Sequence, residues 1–229
     1  MEKLGDFMNN NYKVYNVNFL KNIIFNHLII LLCLISVNPY PIPGNGLPSL
    51  TNYNIIILKV KVPGKIKIIN PNYSFKPSSY FLGMSLIPFT FKDPEIELTK
   101  SENQITLKFD GDITSCNSMF KGCFNITEID LSYFKSSNVN NIDSMFDGCK
   151  SLNNIKFGNF QTSKLTSMNY VFQNCNSLQY LDLSRFNTSL VTHFHYLFFG
   201  CESLKYMDLS HFDTLHYNVF IICLMGALL

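Results

Sequence analysis

The thiols are the side chains of this chain with the widest chemical reach, and four of them keep a fixed interval. Cys123, Cys149, Cys175 and Cys201 follow one another every 26 residues. Thiols can hold zinc, form disulfides or fill a core. Zinc takes cysteines in pairs at C-x₂₋₄-C, and this interval is far too long for that. Two readings stay open. In one, the four form a ladder of small buried thiols facing a common core. In the other, neighbours are bridged, because stacked strands lie about 4.8 Å apart, inside the Cα window of a disulfide. Cys116 stands seven residues before Cys123, and that pair is the favoured bridge.

Other reactive groups give weaker signals. His193 and His195 form a His-x-His, with His211 and His216 as conceivable further ligands. The same slots in other copies of the repeat hold Asn141 and Asp143, or Ser167 and Asn169, so exposed polar filler is the plainer reading. Asp130, Asp182 and Asp208 recur in phase, with Lys156 breaking the series. Stacked like charges repel, and a lysine between two aspartates relieves this. The chain has no Gly-rich phosphate loop and no G-x-S-x-G. The expectation is a protein that is not an enzyme and needs no metal or cofactor.

The thiols belong to a larger repeat. Phe120, Phe146, Phe172 and Phe198 share their period, as do Phe134, Phe160, Phe186 and Phe212. A fixed period of this length marks a stacked array. In Leu178-Gln179-Tyr180-Leu181-Asp182-Leu183-Ser184-Arg185-Phe186, Leu181 and Leu183 have strand spacing. Val191, Phe194, Phe198 and Cys201 follow at offsets that suit a helix, and Gly200 stands where a helix would end. Val139, Ile142, Phe146 and Cys149 repeat the pattern with Gly148, and Leu165, Met168, Phe172 and Cys175 repeat it with Asn174. Each unit therefore reads as strand, turn, short helix, turn. The expected fold class is α/β, a leucine-rich-repeat solenoid with a parallel strand and a short helix per repeat.

The flanking segments supply delivery and capping. Residues 1–37 read as a signal peptide or an uncleaved signal anchor, with an apolar run from Leu28 to Ile35. Residues 38–50 are a Pro/Gly linker. Residues 51–112 read as a small β-rich cap. There, Asn54–Val62 and Lys65–Ile69 suggest one hairpin, and Glu95–Leu98 with Gln104–Phe109 a second. A cap covers the raw apolar face of a first repeat. Residues 113–215 hold about four units, and 216–229 are an apolar, decayed or truncated final repeat.

The segments Met145-Phe146-Asp147-Gly148-Cys149-Lys150-Ser151-Leu152 and Leu181–Ser189 closely resemble the 26-residue repeat of BspA-type leucine-rich-repeat surface proteins. The resemblance spans about residues 104–212. It implies a secreted or surface-displayed interaction module, and it implies no catalytic residue.

In such an array the outward strand residues form a continuous parallel sheet. Here those columns are Glu128, Asn154, Tyr180, Tyr206; Asp130, Lys156, Asp182, Asp208; and Tyr133, Asn159, Arg185, His211. Tyr and Arg favour binding hot spots, so Tyr180, Arg185 and Tyr206 lead the candidate face. The expected partner is a protein or glycan on another cell or surface, with adhesion as the context. A purely structural, self-assembling surface protein is the alternative. A net charge of +2 with 15% charged residues gives no nucleic-acid footprint. Membrane association would come through the N-terminal apolar segment. Asn72, Asn125 and Asn187 head N-glycosylation sequons, relevant only on a eukaryotic secretory route.

Overall fold

A computed structural model describes residues 54–82, 85–88, 95–208 and 212, with 85–88 as backbone alone. The signal or anchor segment, the linker, His211, His216 and the final apolar stretch lie outside the described residues.

Ten short strands are present, and no helix occurs among the described residues. In the N-terminal part these are β1 (Asn54–Val60), β2 (Gly64–Lys67), β3 (Ser79–Leu82), β4 (Ser85–Pro88), β5 (Glu95–Leu98) and β6 (Asn103–Phe109). Each repeat then adds one strand: β7 (Ile126–Asp130), β8 (Asn154–Lys156), β9 (Tyr180–Asp182) and β10 (Tyr206–Asp208). Six strands form one sheet in the order β4-β3-β6-β1-β7-β8, while β9 with β10 and β2 with β5 form separate pairs.

The expected helices are replaced by consecutive turns, which corrects the α/β solenoid expectation. Ser118, Ser144, Tyr170 and Tyr196 have φ values of 58°, 56°, 60° and 53°. Four residues later Gly122, Gly148, Asn174 and Gly200 are again left-handed. Two such residues four apart cannot belong to one right-handed helix. The amide bonds agree. Met145, Asp147 and Cys149 donate three residues back, to Ile142, Ser144 and Phe146. Between them Ser144, Phe146 and Gly148 donate instead to Asn169, Val171 and Gln173 of the next coil, at 2.8–3.0 Å. Alternate amides thus close turns and join coils. Successive four-residue turns place apolar groups three to four apart, the same spacing a helix would give. Gly148 does mark a left-handed position, but the element it ends is a turn.

Packing inside the coils follows the period. Phe120, Phe146, Phe172 and Phe198 stack with centroids 6.1, 5.6 and 5.7 Å apart. Phe134, Phe160 and Phe186 make a second stack, which Phe109 of β6 closes edge-on. A buried polar column, Ser136, Thr162 and Thr188, ties coils together. Its Ser136 Oγ accepts from the Gln161 amide and its Thr162 Oγ1 from the Asn187 amide.

The strands of the N-terminal part fall on the apolar runs, but their partners differ from the expected hairpins. β1 pairs antiparallel with β6 on one side and with β7 on the other. Both its edges are occupied, so β2 turns away and pairs with β5. Ile55, Ile56, Ile57 and Leu58 are all buried, which is what a strand covered on both faces requires. The β3–β4 hairpin lies within a Pro-containing stretch that showed no period.

This part also completes the first coil. At later junctions the carbonyls of Asn141 and Met145 accept the amides of Cys116 and Phe120 from the preceding coil. The matching carbonyls of the first coil, Ser115 and Met119, accept from the Tyr73 hydroxyl at 2.8 Å and the Asn70 amide at 2.8 Å. Two residues of a loop thereby take the place of a missing coil.

Candidate functional site

The phased cysteines are core groups. Cys116, Cys123, Cys149, Cys175 and Cys201 are buried and free, so the expected Cys116–Cys123 bridge is absent. Cys116 contacts Tyr73 instead. The thiols of Cys149, Cys175 and Cys201 donate to the carbonyls of Phe120, Phe146 and Phe172 in the preceding coil, at 3.1, 3.3 and 3.0 Å. Burial pushes the Cys123 and Cys201 thiols up to about 12 and raises Cys149 and Cys175 well above the ordinary range. Thiols held neutral in this way are poor nucleophiles and poor ligands. Among the described residues no group of three or more His, Cys, Asp and Glu could hold a metal. His193 and His195 are exposed, with ring centroids 6.0 Å apart.

The slots read as filler do more than that in the inner repeats. Asp143 is half-buried and accepts from the Ser167 hydroxyl at 2.7 Å and the Asn169 amide at 2.9 Å. Asn169 in turn accepts from the His195 amide. These polar side chains join coil to coil.

The expected binding face is divided by the structure. β7 pairs with β8 in parallel, and β9 with β10, but β8 and β9 belong to different sheets. The Leu131 amide donates to the Lys156 carbonyl at 2.8 Å and the Leu183 amide to Asp208 at 3.2 Å. Among the described residues no such bond joins Phe157 to Asp182. The continuous sheet expected from the columns is therefore broken between the second and third repeats.

On the N-terminal side of that break the candidate residues are engaged in structure. Glu128 is paired with Lys59 of β1 at 2.7 Å. Asp130 accepts from the Ser132 amide and lies 3.8 Å from Lys156. Tyr133 is half-buried, and burial, then Asp130, raises its pKa. On the other side, Tyr180 and Tyr206 face each other across β9 and β10 and are 62% and 57% exposed. Asp208 lies opposite Asp182 in the same register and is half-buried.

At the break itself lies an open cleft of about 340 Å³. Lys156, Asp182 and Arg185 line it over Phe157, Phe160 and Phe186. The fold thus brings together three of the twelve residues of the outward columns, Lys156, Asp182 and Arg185. Hydrogen bonds from Ser184 hold the Asp182 carboxyl below the usual carboxylate range, so it is an ionised acceptor near neutrality. The cleft offers two cations, one carboxylate and the partly exposed ring of Phe157, which is chemistry for binding. Phe157 and Gly158 were missed as site residues. Their signal is a break in phase, because the same positions elsewhere hold Leu131, Leu183 and Leu209, and Ser132, Ser184 and Ser210.

Of the sequon asparagines, Asn72 and Asn187 are exposed and Asn125 is half-buried. The Asn187 side chain already accepts from the Ser189 amide and hydroxyl. A further exposed cluster lies on the turn side. Tyr170 stacks on Tyr196 at 5.5 Å, and Phe199 meets Tyr196 edge-on at 5.6 Å.

Residues 113–221, just under half of the chain, match the family model described as "Mycoplasma protein of unknown function, DUF285". The chain is similar to that family across its repeats, and the description assigns no activity. No curated protein and no solved structure matches the chain.

Proposed function

We propose that this chain is a secreted or cell-surface repeat protein that binds a protein or glycan partner through the outward face of its strands, in adhesion. The observation that carries this reading is that Tyr180 and Tyr206 stand opposite each other in register and exposed, with Arg185 of the same repeat also exposed, on a stack of coils whose inner columns are fully packed. Exposed aromatic anchors and a guanidinium suit a hot spot. The resemblance to surface-displayed repeat proteins supports the location, and the N-terminal apolar segment would deliver or anchor the chain. No helix among the described residues is long and apolar enough to cross a membrane. The reading is non-catalytic, consistent with thiols that burial keeps protonated.

Assembly with copies of itself is the second reading. It is favoured by the exposed rings of Tyr170, Tyr196 and Phe199, since clustered exposed apolar groups mark contact surfaces. One experiment separates the two. A Tyr180→Ala/Arg185→Ala/Tyr206→Ala variant is compared with the parent in cell binding and in sedimentation. Loss of cell binding with unchanged sedimentation supports adhesion, whereas unchanged binding with reduced association supports assembly. N-terminal sequencing of secreted protein that begins at Met1 would remove the cleaved-signal reading.

A further inference from the structure

Three of the four strand phrases are near copies: Ile129-Asp130-Leu131-Ser132, Leu181-Asp182-Leu183-Ser184 and Met207-Asp208-Leu209-Ser210. The second repeat reads Ile155-Lys156-Phe157-Gly158. Its last three residues all differ from the others, and all three line the cleft. Each change has a physical consequence there. Leu131 and Leu183 are fully buried, but Phe157 is too large for a leucine slot and stays half-exposed, its ring edge-on to Phe186 at 4.8 Å. Gly158 has φ +56°, and a Cβ on it would come within 2.6 Å of the Ser132 Cα, so only glycine lets the second coil settle this closely on the first. Lys156 puts a cation where its neighbours Asp130 and Asp182 put anions. The result is a gap in an otherwise regular ladder, open to solvent and lined by groups of both signs.

The geometry points to this cleft as the binding site for an acidic sugar, a ring carrying a carboxylate. The inference rests on the glycan branch of the function proposed above. The planar fork of Arg185, with Lys156 beside it, suits a carboxylate. The ionised Asp182 accepts from ring hydroxyls, and the exposed part of the Phe157 ring, backed by buried Phe160 and Phe186, takes the C–H face of the sugar. A neutral sugar would bring Arg185 and Lys156 no carboxylate beyond Asp182 and the loosely placed Asp130, 3.8 Å from Lys156. The volume lies at the small end of the range for ligand clefts, which fits a single sugar unit rather than a chain.

The test is titration of the full chain with glucuronate, N-acetylneuraminate and glucose, followed by ligand-observed NMR. At least one acidic sugar should bind saturably, with glucose weaker by about tenfold or more, the worth of one charge-assisted contact. Phe157→Leu installs the residue of the other three repeats and should weaken acidic-sugar binding by about tenfold while the chain still unfolds in one cooperative transition well above the assay temperature. Lys156→Gln should weaken it several-fold. Equal binding of glucose, absence of saturable binding by both acidic sugars, or full binding by the Phe157→Leu variant would each overturn the inference. If neither acidic sugar binds but the triple alanine variant loses cell binding, the inference fails and the adhesion reading stands. If an acidic sugar binds as described and cell binding ignores the triple variant, the cleft assignment stands and the adhesion reading fails.

Discussion

The two sides of each coil are built to different standards. On the turn side every junction is the same: a phenylalanine on a phenylalanine, a thiol on a carbonyl, and alternate amides crossing to the next coil. On the strand side the first and third junctions are paired and the second is not. The difference shows how a repeat protein can vary one face without losing its fold. Stability is lodged in columns that tolerate little change. The strand side is free to carry an irregular residue such as Phe157, because the coil is already fixed from behind.

The comparison can be broken most severely on the turn side. Phe172→Ala removes a ring that stacks on Phe146 and Phe198, and it should cost about 3–5 kcal/mol in denaturant unfolding. The same change to exposed Tyr180 should leave the midpoint within about 0.5 kcal/mol. If the two losses were similar, the division between the sides would not hold.

Alkaline pH tests the thiol ladder. The unfolded thiols ionise near about pH 8.5, while Cys123 and Cys201 stay protonated in the fold up to about 12. Between these values the unfolded chain has released protons that the folded chain retains, so stability must fall as pH rises. The slope should approach about 1.4 kcal/mol per pH unit for each such thiol. The check is a series of denaturant midpoints from neutral to alkaline pH, and a flat profile would show that these thiols reach solvent. Below pH 8 the contribution should be fully present.

Smaller effects sharpen the comparison at its edges. Gly158→Ala forces a Cβ against the Ser132 backbone in a left-handed conformation and should cost about 1–3 kcal/mol by thermal unfolding. Tyr73→Phe removes the hydroxyl that stands in for a missing coil. It should cost about 1 kcal/mol and speed hydrogen exchange first in the Cys116–Cys123 turns. For Phe157→Leu the stability change should stay within about 1.5 kcal/mol. There the informative readout is the amide at position 157, which should gain exchange protection if the gap between β8 and β9 closes.

How much of this was legible in the sequence differs by element. The period, the phenylalanine columns and the buried thiols were readable because repetition makes the core pattern redundant. The turns were misread as helices because Val139, Ile142, Phe146 and Cys149 have offsets that two successive turns also produce. The left-handed residues that decide between them include Ser144 and Tyr170, which carry no such signal in their type. In the N-terminal part the strands were readable from β-branched runs, but their pairing was not. Pro63-Gly64 suggested a local hairpin, whereas β1 gains more by filling both edges with the distant β6 and β7. Among the candidate binding residues, type alone could not separate Glu128, neutralised by Lys59, from the exposed Tyr180.

By itself the sequence determined that one unit recurs every 26 residues, which groups face inward, and that the outward strand positions vary. Each of these follows from residue type and spacing, because burial selects apolar side chains at a fixed phase. Only the tertiary structure decided that the coils turn without helices, that Tyr73 and Asn70 complete the first coil, and that the strand ladder breaks beside Phe157. These depend on which distant backbone groups meet, and on a few tenths of a nanometre of clearance that no single residue's type encodes.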